Sequence, residues 1–280
     1  MRYLPFPQSI KSQKLFGLAK LQIRSQALFP VTLALTVCWS VVMPLRSMAE
    51  TAATAPDALK QTLSQVDAAA SKRNVQAVMQ FYGADFSNSD GLNRTSFSQA
   101  LTEFWQQYSK LTYRTEIRSW KPEGKGILVE TITSIKGTRT GDGKPMNLDA
   151  TLRSRQYVEG QKIVRQEILS ERSQLTSGTR PPAVDINLPE QVTVGQSYSF
   201  DAIVKEPLGD SILLGAALEE PVNQGGYFKQ PAVDLEPLQA GGIFKIGRAP
   251  TTAENRWISA VLVREDGMVM ITQRLRVVDK

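Results

Sequence analysis

The sequence predicts an α+β domain followed by an all-β sandwich domain, behind an amino-terminal targeting segment. Three observations predict it. Residues 1–49 carry Arg2, Lys11, Lys14, Lys20, Arg24 and Arg46 and no acid. Residues 57–175 show apolar residues at helical spacing and then long alternating strands, an α+β order. From residue 183 the chain is strand-like, with Gly and Pro recurring at short intervals.

The first 49 residues settle where the charge lies. The chain has 33 Lys+Arg and 27 Asp+Glu, and removing the six leader bases leaves 27 of each over 50–280. Phosphate binding needs a basic surface, so no nucleic-acid role is expected of this neutral remainder. Ala27 to Met43 is an uncharged apolar run after a basic stretch, and Ser47-Met48-Ala49 offers the small residues a signal peptidase uses. Cleavage after Ala49 would deliver the rest to the periplasm or an equivalent lumen. The rival is an uncleaved inner-membrane anchor over residues 25–45, because 21 residues between Arg24 and Arg46 are uncharged and a bilayer needs roughly 20. Positive charge precedes the run, so the remainder leaves the cytoplasm in both cases. Membrane contact is expected through this segment alone.

Cys38 is the only cysteine and sits inside the apolar run, where it reads as one more apolar residue. The exported part then has no disulfide frame, thiol nucleophile or Cys metal site. The chain has no His. That excludes Ser-His-Asp catalysis, His-ligated metal and any imidazole proton transfer. No cofactor and no metal are expected, and any catalysis rests on Asp, Glu, Tyr, Lys or Arg.

After a flexible start at 50–56, a first helix is expected near Asp57 to Lys72. Asp57 serves as its cap, and Leu59, Leu63, Val66 and Ala70 fall on one face. A short helix follows near Val75 to Phe81, then a polar loop, Ser87 to Gly91, then a third helix from about Thr95 with Phe97, Leu101, Phe104, Trp105 and Tyr108. Four strands are expected near Leu111–Trp120, Gly126–Lys136, Leu148–Val158 and Gln161–Gln174. Their turns are Pro122-Glu123-Gly124-Lys125, Gly141-Asp142-Gly143 and Glu159-Gly160. Residues 176–182 read as a proline linker. Beyond it, Tyr198, Phe200, Ala202 and Val204 alternate with polar positions. Later strands fall near Ile212–Leu218, Gly242–Ile246, Arg256–Arg264 and Met268–Val278, the last two joined at Asp266-Gly267. Short strands at this density over 183–280 point to a sandwich.

The order helix, short helix, Phe81-Tyr82-Gly83-Ala84-Asp85-Phe86 turn, helix and long strands resembles the nuclear-transport-factor-2-like (SnoaL-like) superfamily over 57–175. The resemblance implies a cone, a bent sheet wrapped around three helices with a pocket in its open end. It also implies isomerase, cyclase, dehydratase or epoxide-hydrolase activity in some members, plain binding in others, and frequent homodimers through the sheet. The Leu188 to Tyr198 opening, Leu-Pro-Glu-Gln-Val-Thr-Val-Gly-Gln-Ser-Tyr, resembles immunoglobulin-like or fibronectin-III-like domains of bacterial envelope proteins, without the Cys-Trp-Cys signature.

Asp85 is the sharpest candidate. Members of the resembling enzymes place an acid near this turn as a base, and apolar neighbours would raise its pKa toward a useful range. It equally reads as a turn cap. Tyr82, Trp105 and Tyr108 are candidate pocket walls, with Tyr hydroxyls as donors, or ordinary core. Arg153 and Arg155 would bind an anionic ligand if they face into the cone, or form cross-strand ion pairs if they face out. Gly137 to Pro145 fails as a phosphate loop for lack of the spacing and the following helix.

Three functions stay open. The leading one is a non-catalytic exported envelope protein whose cone binds a small apolar molecule or an envelope protein, with the sandwich as spacer or docking module. The second is a cone-superfamily enzyme using Asp85 as base. The third is a structural or assembly factor whose cone is closed by its own side chains.

Overall fold

The computed structural model describes residues 49–141, 144–207, 209, 211–228, 233–238 and 241–279. The leader with Cys38, and the expected turn residues Asp142 and Gly143, lie outside the described residues. In chain order the elements begin with β1 (Glu50–Thr51), α1 (Asp57–Ser71), α2 (Val75–Met79), β2 (Tyr82–Asn88) and α3 (Arg94–Gln106). Four long strands follow: β3 (Lys110–Glu123), β4 (Gly126–Gly141), β5 (Lys144–Glu159) and β6 (Lys162–Gly178). The second half holds β7 (Val184–Asn187), β8 (Gln191–Thr193), β9 (Ser197–Val204) and β10 (Leu214–Pro221). It ends with β11 (Glu236–Pro237), β12 (Gly242–Arg248), β13 (Arg256–Arg264) and β14 (Gly267–Val278).

Local chemistry sets the helix ends. Pro56, not Asp57, occupies the N-cap of α1, and Asp57 lies in the first turn, where its charge suits the helix dipole. Asn74 caps α2 by accepting from the Ala77 N–H. Asn93 and Ser96 exchange side-chain bonds with each other's backbone at the start of α3, a capping box. The β5–β6 turn places Gly160 and Gln161 both at positive φ, as a two-residue hairpin requires.

Strand β6 is the spine. One side pairs antiparallel with β5 along its length. On its other side, the first half pairs parallel with β2, from Ile163 to Gln166, and the second half pairs antiparallel with β14, from Arg172 to Gly178. Two sequence expectations are corrected here. The Tyr82 to Phe86 segment is a strand, not a turn. Thr176, Ser177 and Gly178, expected in a linker, are the end of β6. An apolar partner strand 90 residues away makes these residues extended, and no local signal announces it.

The result is one eleven-stranded sheet, ordered β1-β3-β4-β5-β6-β14-β13-β10-β11 with β2 and β8 paired off that path, plus a three-stranded sheet, β12-β9-β7. Side chains alternate across a strand, so paired positions share a face. Leu148 and Ala150 of β5 pack with the helices, so Leu175 and Ser173 opposite them face the helices too. Ile271 pairs with Gln174 and therefore lies on the other face, where it is buried beneath Phe200, Ala202 and Ile243 of the small sheet. The single sheet thus buries one face under three helices at one end and the opposite face under a second sheet at the other. The separate sandwich expected from 183 onward is therefore not what folds. Its second layer is the continuation of the helix-bearing sheet.

At the junction Gly178 has φ +97°, and a Cβ there would come 2.4 Å from the Asp266 carbonyl oxygen. Gly195 has φ +72° with nothing within 4 Å. Gly178→Ala is expected to lower unfolding free energy by about 3 kcal/mol or more, and Gly195→Ala by about 1 kcal/mol. Urea unfolding of the two variants checks this, and equal losses would contradict the close approach.

Candidate functional site

The most concentrated chemistry lies where the two halves meet. Asn88, at the end of β2, accepts from the Asp90 and Leu92 N–H groups and closes a tight loop. Ser89 ties that loop to β6, its N–H donating to the Gln166 carbonyl and its hydroxyl accepting from the Ile168 N–H. Asp90 is thereby held buried. Arg274 of β14 meets it with two parallel bonds, Nη1 to Oδ1 and Nη2 to Oδ2, each 2.9 Å. Nε and Nη2 of the same guanidinium also donate to Glu171 Oε2 of β6 at 3.2 and 2.8 Å.

Both Arg274 and Asp90 side chains are fully buried. Tyr227, in a short turn after β10, donates its hydroxyl to Asp90 Oδ2 at 2.5 Å. Trp257 Nε1 donates to Glu171 Oε2 at 3.0 Å, and its ring packs edge-on against Tyr227. Burial works against the Arg274 charge, but Glu171 and Asp90 outweigh it and hold its pKa above the ordinary value. Burial, with Glu171 and Asp90 nearby, pushes the Tyr227 hydroxyl up. The arrangement is an ionic lock: its donors and acceptors are engaged with each other. Sequence reading did not bring these five residues together. Arg274 stands in ordinary strand alternation, and Ser87 to Gly91 read as a polar loop.

The sequence-predicted residues distribute otherwise. Asp85 is exposed on β2, without the apolar enclosure that a base there would need. Tyr82 is buried against Phe86 and Phe97, at 4.8 and 4.9 Å between ring centroids, and burial raises its hydroxyl pKa. Trp105 is buried and donates to the Tyr113 hydroxyl at 2.8 Å. Tyr108 is buried beside Phe104, with the Arg139 guanidinium 5.8 Å from its ring centre. These three form the packing between helices and sheet and do not meet Asp85 at a common cavity. Asp67, which sequence reading missed, accepts from the Thr115 N–H and hydroxyl, each at 2.6 Å, and fastens α1 to β3.

A cavity of about 150 Å³ lies between the start of α1 and the hairpin turns, lined by Leu59, Thr62, Ile127 and Val158, among others. Arg153 and Arg155 lie on the sheet face away from the helices, in a ladder with Glu130 and Glu167. Arg155 sits 2.7 Å from Glu130 and 3.0 Å from Glu167, and Arg153 sits 3.2 Å from Glu130. Of the two arrangements open to them, they form the cross-strand pairs. Burial pushes the Glu130 carboxyl up, but the bonds from Arg155 and Arg153 outweigh it and leave its pKa lowered. On the same outer face, an open depression of about 540 Å³ is lined by Lys110, Thr112, Lys136, Asn147, Asp149 and Gln174, among others. Among the described residues no cluster of three or more His, Cys, Asp or Glu is placed to hold a metal.

Residues 179–278 match the family model described as a domain of unknown function (DUF8623). No curated protein matches the chain. Among solved structures the chain is similar to Bd1075 of Bdellovibrio bacteriovorus, at 16% identity and TM-score 0.30, over 40% of this chain. The match spans 40% of the length of Bd1075. It is also similar to a scytalone-dehydratase-type protein of Novosphingobium aromaticivorans, at 11% identity and TM-score 0.35, over 40% of this chain and 80% of that one. A third is an NTF-2 like protein of unknown function from Burkholderia xenovorans, at 14% identity and TM-score 0.25, over 45% and 89%.

Arg274→Met leaves the buried Asp90 carboxylate unpaired beside the partly exposed Glu171 and is expected to cost about 3–5 kcal/mol, whereas Arg274→Met with Asp90→Leu and Glu171→Met recovers most of that loss. Denaturant unfolding of both variants measures it, and an unchanged midpoint for the single variant would contradict the lock. For the outer ladder the sign follows from the lowered Glu130 pKa. Its contribution is complete above the ordinary carboxylate range and disappears as pH falls through the lowered value. Glu130→Gln should therefore cost about 1 kcal/mol or less at about pH 7 and nothing at about pH 2, read from paired unfolding curves.

Proposed function

We propose that this protein is an exported, non-catalytic assembly module, a rigid scaffold that presents surfaces to protein partners outside the cytoplasm. The observation that carries the reading is the small size of the cavity beside α1. About 150 Å³ remains there, below the roughly 300–1,000 Å³ of small-molecule sites. Tyr82, Phe86, Phe97 and the Trp105–Tyr113 pair occupy the interior instead. The exposed position of Asp85 supports the same reading over the enzyme alternative. Export rests on the acid-free basic leader and its apolar run. The sheet shared by both halves, with its ionic lock, holds them as one body, which suits presentation of surfaces rather than opening and closing around a substrate.

A second reading has one observation in its favour. The outer depression of about 540 Å³ is large enough for a small ligand, and its hydroxyl, amide and paired-charge lining suits a polar one. The apolar ligand expected for the cone has no comparable space there.

Native mass spectra of the protein isolated from its host envelope test the first reading. The expected outcome is the bare polypeptide mass in an associated state, with no retained small molecule. A stoichiometric small-molecule mass on a monomer would overturn it. Asp85→Asn is expected to change unfolding free energy by no more than about 0.5 kcal/mol, as for other exposed sites, and to leave the association unchanged.

A further inference from the structure

The outer face of the sheet carries polar groups that belong neither to the lock nor to the ion-pair ladder. Leu148 of β5 packs with the helices, so its neighbours Asn147 and Asp149 face the other way. Register extends each of them into a row across four strands. One row is Lys110, Thr138, Asn147 and Thr176, and the other is Thr112, Lys136, Asp149 and Gln174. Both rows lie in the open depression of about 540 Å³. The next positions in the rows, Val269 and Ile271 of β14, are buried beneath the small sheet. The bare floor therefore ends where the second layer begins.

The chemistry of this floor is narrow. Its side chains are hydroxyls, amides, two ammonium groups and one carboxylate, and its one apolar side chain, Leu148, is buried on the helix side. Lys136 and Asp149 pair loosely, at 3.7 Å and with side chains 73% and 65% exposed, so each keeps capacity for a ligand. Lys110 and Lys136 stand diagonal to each other across β3 and β4, roughly 7–8 Å apart at the backbone, and two flexible ammonium arms at that spacing can converge on one anionic group. These two lysines outnumber Asp149, so the floor favours an anion. Asp149 supplies acceptors, and Asn147 and Gln174 supply both donors and acceptors. Adjacent hydroxyls on a ligand, each a donor and an acceptor, need that mixture.

We infer that this depression binds an acidic sugar, a hydroxyl-rich ring bearing a carboxylate. The inference gives the polar-ligand reading above its chemical class and rests on that reading. The carboxylate takes Lys110 and Lys136, and the ring hydroxyls take Asp149, Asn147 and Gln174. Other occupants lack partners here. An acyl chain or an aromatic base needs apolar or ring surface, and the floor exposes none. A peptide strand docks through its main chain on a sheet edge, whereas a sheet face presents side chains, its main-chain bonds lying in the plane of the sheet. A polyanion would bring charge against Asp149 that its phosphates cannot satisfy.

Isothermal titration of the protein isolated from its host envelope tests this, with digalacturonate, its neutral counterpart digalactose and inorganic phosphate as probes. Digalacturonate is expected to bind at a single site, at least about tenfold more tightly than either of the others, since a bond to a charged group is worth about that much. Lys110→Met and Lys136→Met should each weaken it at least about fivefold. Lys121→Met, on the same face but outside the depression, should not. Lys110 and Lys136 are exposed, so their variants keep the wild-type unfolding curve. Phosphate binding as tightly as digalacturonate would overturn the sugar. Digalactose binding as tightly would overturn the acid and leave the polar-ligand reading in place. No binding of digalacturonate, or an equal loss from Lys121→Met, would overturn the inference outright. The polar-ligand reading fails separately, when none of the probes binds and the native spectrum also shows no retained molecule.

Discussion

A guanidinium sealed away from water organises this molecule. Taking Arg274 out of solvent costs several kcal/mol, and only both carboxylates together offset that. Asp90 comes from the loop between β2 and α3, and Glu171 from β6, so the cation of β14 is satisfied only when the last strand lies in one register beside the first half. Strand alternation makes the constraint sharp. A slip of one residue would turn Arg274 into the layer of Ile258, Phe200 and Ile271, where no carboxylate is buried to meet it. The lock therefore selects the arrangement of the halves more than it adds net stability.

That arrangement explains the split burial of the sheet. Helices cover β3 to β6 on one face, and the small sheet covers β10, β13 and β14 on the other. Where coverage changes sides, neither layer reaches, and the Tyr227 turn and the Trp257 ring close the gap over Arg274. The helix end is correspondingly complete. Aromatic side chains pack within it, and α1 takes the Tyr113 and Thr115 N–H groups of β3. The open polar depression lies on the outer face, away from the helices.

The helices were legible because their apolar residues repeat at 3.6 and their ends carry local signals, as Asn93 with Ser96 shows. Hairpins with Gly at positive φ, at 123–126 and 159–162, were legible for the same local reason. Tyr82 to Phe86 was not, because it is a strand only through β6, and parallel pairing leaves no turn to mark it. Asp85 attracted attention by its aromatic neighbours, yet alternation on β2 puts Phe86 inside and Asp85 outside. Arg274 attracted none, since a single arginine in a strand looks the same whether its face meets water or two carboxylates.

Composition and local pattern by themselves determined the targeting leader as an expectation, the absence of imidazole chemistry, the order of the three helices and the four long strands after them, and the alternation that makes Arg153 and Arg155 share a face. These depend on residue type and on neighbours a few positions away. Tertiary structure alone decided that β6 joins the halves, that one sheet buries opposite faces at its two ends, and that Asp90, Glu171 and Arg274 meet. Those contacts span 103 and 184 residues of chain, and pairing at that separation is settled by which apolar faces can be covered at once.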